Sequence, residues 1–128
     1  VTPGVRLAFA LAAAVPGSAC NDVPVVCTAI AVPGIQVDVR DSVTGLPATD
    51  GALGIARDGA YADTLETLPT TGPLPSPTML GAWERQGTYD VTISKANYLT
   101  WSAAGVRVSG DACHVTTVKL DANLQPSP

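Results

Sequence analysis

Residue types able to do chemistry are sparse in this sequence. His114 is its only imidazole, so any histidine-based general acid or triad must use it. Asp111 stands nearby and serines are plentiful, but no Gly-x-Ser-x-Gly elbow leads into a helix. Phosphate-cradling and dinucleotide motifs are missing, because the glycines of "GALGIARDG" (51–59) fall on a hairpin rather than at a strand-to-helix turn. Asp38, Asp41 and Asp50 surround the first predicted turn and together offer the oxygen ligands calcium prefers. Their spacing fits no loop template, and turn-forming aspartates account for them. The chain is expected to hold no metal and no cofactor, and to be no enzyme.

Flat aromatic faces are the other route to a specific contact. Trp83, Trp101, Tyr61 and Tyr98 would stack on sugar rings or a protein partner wherever they are exposed. Alternation places Trp101 with Leu99 and Ala103, and Trp83 with Met79, so both tryptophans are expected as core plugs. Ligand contact through Trp83, Trp101 and Tyr61 is the alternative. Tyr98 falls on the face opposite Trp101 and is expected to anchor a corner. The loop 68–78 carries four prolines, which give it polyproline character. It reads equally as a contact loop or as a connection between sheets.

The sequence holds three cysteines, Cys20, Cys27 and Cys113, an awkward number for an exported protein. Arg6, the apolar run "LAFALAAAV" (7–15) and "PGSAC" (16–20) have the parts of a secretory signal. That run is shorter than the ~20 residues a membrane span needs. "GSAC" resembles the lipobox of bacterial lipoproteins, with Gly17 where leucine is usual, which makes Cys20 the expected lipidation site and first mature residue. Cleavage by ordinary signal peptidase after Ala19 would also expose Cys20. Cys27 and Cys113 then remain as a disulfide pair in an oxidising compartment. With His114 they are too few for a structural zinc site.

Behind these residues stands a chain with enough apolar content for a core, 46% of the total, few charges at 14%, and a formal net charge of −4. No run of Lys or Arg exists, which argues against nucleic acid and against an anionic membrane surface. Residues 1–19 read as a signal peptide and 20–34 as an extended leader broken by Pro24 and Pro33-Gly34. "IQVDVR" (35–40) alternates as a half-buried strand. "LGIAR" (53–57) and "AYADTL" (60–65) flank a hairpin signal at Asp58-Gly59. "MLGAWER" (79–85) and "TYDVTISK" (88–95) are expected to pair across Gln86-Gly87. "YLTWSA" (98–103) and "VRVS" (106–109) read as one strand with a bulge at Gly105. "CHVTTVKLDANL" (113–124) is the predicted last strand and 125–128 a disordered tail. Seven to eight short strands without helical periodicity beyond the leader describe an all-β sandwich of antiparallel layers.

"VDVRDSVTGLP" (37–47) and "GTYDVTISKANYLTWSAAGVRV" (87–108) resemble the two signatures of carboxypeptidase regulatory-like domains, and Val115 to Leu124 fits their closing strand. The resemblance covers most of 35–124 and implies a transthyretin-like (prealbumin-like) Greek-key β-sandwich. It also implies a non-catalytic accessory, adhesive or carbohydrate-associated role. The related hydroxyisourate hydrolases use several histidines and a Tyr-Arg-Gly-Ser tail, which this chain lacks. The Lys–Asn isopeptide crosslink of related adhesins is not expected either, since 35–40 holds no lysine. Three readings follow: a structural or binding module of the bacterial cell envelope, tethered to the membrane by lipid on Cys20; a carbohydrate-binding module using exposed Trp or Tyr; and a small hydrolase centred on His114. The partners implied are the membrane and a glycan or envelope protein.

Overall fold

The computed structural model describes Gly17 and residues 23–128. Apart from Gly17, the signal peptide expected over 1–19 lies outside the described residues, as does the lipidation site Cys20. Among the described residues every regular element is a strand: β1 (Ile35–Asp41), β2 (Leu53–Asp58), β3 (Tyr61–Thr64), β4 (Glu66–Thr67), β5 (Thr78–Gly81), β6 (Gly87–Ser94), β7 (Trp101–Val108) and β8 (Val118–Leu124). They form two four-stranded sheets, ordered β4-β5-β1-β8 and β3-β2-β6-β7. Both sheets contribute to a single apolar cluster, an arrangement consistent with a β-sandwich.

Alternation of apolar and polar residues makes these strands. Ile35, Val37 and Val39 on β1 and Tyr89, Val91 and Ile93 on β6 are fully buried. Their neighbours Gln36, Asp38, Thr88 and Asp90 face outward to varying degrees. Each such aliphatic side chain contributes about 1.5–3 kcal/mol by leaving water. Gly54 on β2 is required by close approach: a Cβ there would lie 3.0 Å from both Ile93 Cδ1 and Leu65 Cδ1. Leu65 sits at the crossing from β3 to β4 and fills the space above it. The bulge expected at Gly105 is present. The register passes from Tyr89↔Val106 to Val91↔Ala103, so β7 carries one extra residue, and Gly105 takes φ +66°.

Several expectations are corrected. The sheets are not wholly antiparallel: β1 and β8 run parallel, from Ile35↔Val118 to Asp41↔Leu124. The leads into the two strands are bound together, so both strands start at the same end. Val118 N–H donates to the Gly34 carbonyl at 2.8 Å, and Thr117 Oγ1 donates to the Pro33 carbonyl at 2.7 Å. Cys27 and Cys113 form the expected disulfide, with Cα atoms 5.2 Å apart. The last strand begins at Val118 rather than at Cys113 because residues 113–117 serve this junction.

β5 and β6 do not pair. β5 lies between β1 and β4, in the sheet opposite β6. Ala82 (φ 53°) and Glu84 (φ 49°) take left-handed backbone conformations that end the extended run and send the chain across to the other sheet. The hairpin turn falls on Gly59-Ala60, between paired Asp58 and Tyr61. Residues 125–128, expected as a tail, are docked. Gln125 C=O accepts from Leu99 N–H at 2.9 Å, and Ser127 N–H donates to Asn97 C=O at 2.9 Å.

The disulfide spans 86 residues, for which loop-closure entropy gives about 4–5 kcal/mol. Reduction, or Cys113→Ser, is expected to lower unfolding free energy by up to that amount. Urea denaturation with and without reductant measures it, and overlapping curves would refute it.

Candidate functional site

The loop Ala82–Arg85 is where polar chemistry concentrates. Ala82 is fully buried, yet its backbone is satisfied on both sides. Its N–H donates to Asp63 Oδ2 at 2.7 Å, and its carbonyl accepts from Gly34 N–H at 3.1 Å and Arg85 N–H at 3.3 Å. Glu84 reaches toward the leads of β1 and β8. Its Oε1 accepts from Val32 N–H at 2.8 Å and from His114 Nδ1 at 2.7 Å. Its Oε2 accepts from Val115 N–H at 3.2 Å. These donors, His114 first, hold the Glu84 carboxyl below its usual range against a smaller opposing effect of burial.

Arg85 reaches the other way, into the β3-β2-β6-β7 sheet. Its guanidinium donates to Asp58 at 2.9 Å and to the Tyr89 hydroxyl at 3.0 Å, and lies 3.8 Å from the centre of the Tyr61 ring. The Tyr89 hydroxyl donates back to the Arg85 carbonyl at 2.9 Å. Burial, followed by the charge of Asp63, raises the Tyr61 hydroxyl above its ordinary value.

Between buried Ala82 and anchored Glu84, Trp83 is left outside, 42% exposed. It is therefore not the core plug that alternation with Met79 implied. The left-handed turn at Ala82 breaks that alternation, and Met79 alone is buried. Trp101 is half-buried and packs against the core from β7, while its expected face-mate Leu99 is 55% exposed. Trp101 pairs with Ile93 at the far end of β6, whereas Trp83 and Tyr61 flank the Arg85 end. The aromatic set is thus divided between the two ends of this sheet.

His114 is bonded on both ring nitrogens. A carboxylate only accepts, so Nδ1 carries the proton shared with Glu84. In the neutral ring Nε2, 2.8 Å from Thr28 Oγ1, then accepts from that hydroxyl. The result is a hydroxyl–imidazole–carboxylate series. Asp111 is no part of it: its Oδ1 takes the N–H groups of Cys113 at 2.8 Å and His114 at 2.9 Å, building the turn before the disulfide. Glu84 and Thr28 were not foreseen in the sequence, since each lies far along the chain from His114.

The three aspartates considered for calcium are committed elsewhere or apart. Asp38 accepts from Thr78 Oγ1 at 2.8 Å, and Asp50 stands exposed in a turn. Among the described residues no three His, Cys, Asp or Glu side chains converge as ligands. Asp41 caps its turn through the N–H groups of Val43 at 2.7 Å and Thr44 at 2.9 Å. It also accepts from the Tyr98 hydroxyl at 2.6 Å, so Tyr98 ties its corner to the first turn. The sequence matches no protein-family model and no curated protein.

The Tyr98 hydrogen bond, followed by the Thr44 and Val43 N–H groups, lowers the Asp41 carboxyl from 3.8 to about 2. A depressed native value contributes stability that is full above the unfolded value and is lost as pH falls toward 2. Tyr98→Phe is expected to raise the Asp41 value toward the ordinary carboxylate range, so that this carboxyl contributes less stability at neutral pH and less is lost as the pH falls. NMR titration of the Asp41 carboxyl checks this, and an unchanged midpoint would contradict it.

Proposed function

We propose that this chain is an exported, non-catalytic β-sandwich module of the carboxypeptidase regulatory-like kind, tethered to a bacterial cell envelope through lipid on Cys20. It acts there as a structural or binding unit, and Trp83 is its contact residue. The strand order supports a Greek-key, prealbumin-like arrangement. One sheet joins the first strand to the last, and the other takes its strands from the middle of the chain. The disulfide suits an oxidising compartment.

The observation that carries the binding role is the presentation of Trp83. An exposed indole sits on a loop with two left-handed non-glycine residues, fixed on one side by Glu84 and on the other by Arg85. Strain of that kind persists where surrounding contacts over-determine it, and a rigid aromatic loses little entropy on binding. Sugar rings or an apolar protein surface are the partners such a face takes. Trp83→Ala is expected to cost about 2 kcal/mol or more of binding in glycan-array and envelope pull-down measurements, with thermal stability unchanged. Binding by the variant at the parent level would overturn the role given to Trp83.

A second reading, a small hydrolase, draws on the Thr28–His114–Glu84 series. In it Thr28 Oγ1 would add to an ester carbonyl as its proton passes to Nε2, with Glu84 stabilising the imidazolium. The mature chain is expected not to turn over p-nitrophenyl acetate above a His114→Ala control. Turnover lost in both His114→Ala and Thr28→Val would favour the hydrolase instead.

A further inference from the structure

The leader that precedes β1 has an unusual surface. Val23, Val25, Val26 and Ile30 are 68–89% exposed, and no charged residue occurs from Val23 through Val37. Elsewhere exposed aliphatic side chains stand singly along the chain, which is ordinary; here they follow one another along a single strap. The strap is not loose at its far end. The disulfide at Cys27, the Thr28–His114 hydrogen bond and the backbone bond between Val32 and Glu84 hold it on the domain. The strap joins no strand of either sheet.

We propose that residues 23–30 are a second membrane contact, lying in the headgroup region of a bilayer and fixing the orientation of the domain on it. The proposal rests on the reading that Cys20 is acylated. Cys20 stands three residues before Val23, so an acyl anchor there would place the start of the strap within roughly 10 Å of the lipid surface. Two further features favour lipid over a protein groove or a second copy. Val25 and Val26 are neighbours, so in extended chain they point to opposite sides, and both are exposed. A groove or an added strand covers one side, whereas an interface into which the segment settles covers both. The strap also has no aromatic or arginine anchor of the kind that dominates protein interfaces. Its backbone groups, unpaired among the described residues, keep it at headgroup depth, since hydrocarbon offers them no partners. With a formal charge of −4 on the chain, attachment is apolar and insensitive to salt.

The test uses the mature chain isolated from membranes, with its intact mass taken first, and returned to phosphatidylcholine vesicles. The reference is the Cys20→Ser chain in buffer. Amide exchange over 23–31 is expected to slow about tenfold or more on vesicles relative to the reference. Val25→Asp with Val26→Asp is expected to restore fast exchange while the acylated chain stays on the vesicles. An unacylated mass refutes the tether and, with it, this proposal. An acylated chain whose strap exchanges as fast on vesicles as in buffer refutes the strap contact alone. Protection already present in the reference, with the mass of a dimer, assigns the strap to a second copy and overturns the proposal.

Discussion

The parallel pairing of β1 with β8 is the constraint on which the other elements depend. These strands come from opposite ends of the folded region, and everything between them is the crossover. A contact so distant in sequence is slow and entropically costly to close. The molecule closes it with a covalent bond just outside the strands, and with hydrogen bonds from Thr117 and Val118 to the carbonyls of Pro33 and Gly34. Once that junction is made, most other pairings join sequence neighbours: β2 with β3, β4 with β5, β6 with β7.

A second junction works through adjacent residues pulling in opposite directions. Glu84 satisfies groups on the leads of β1 and β8, while Arg85 satisfies groups on β2, β3 and β6. Bonds to ionised groups are about twice as strong as neutral ones, which offsets a left-handed backbone at Glu84. The exposure of Trp83 follows: with Ala82 buried and Glu84 committed inward, the residue between them has nowhere to go but out.

Period-two alternation made β1 and β6 legible in the sequence, the hairpin signal near Asp58-Gly59 marked β2 and β3, and glycine marked the bulge in β7. Alternation is blind to strand direction, so it could not announce that β1 and β8 run parallel. Nor could it show that β5 leaves for the other sheet, because neither alanine nor glutamate advertises a left-handed turn; their conformations at 82 and 84 are imposed by Asp63, Val32 and His114 from elsewhere in the chain. The partner of His114 was hidden for the same reason. Asp111, near in sequence, binds backbone, while a carboxylate 30 residues away takes the ring. Trp83 was misread because its spacing from Met79 presumed a strand continuing through Ala82.

The bulge in β7 has a bearing on how the molecule keeps its own company. β7 is the outermost ribbon of its sheet, and its length of eight residues would suit it to recruit a neighbour. At Gly105 the ladder is broken and its N–H is turned onto the Asp90 carboxylate at 3.1 Å. A kink with a fixed negative charge beside it makes a poor template for an incoming chain. One glycine and one aspartate thereby blunt this margin against edge-to-edge growth.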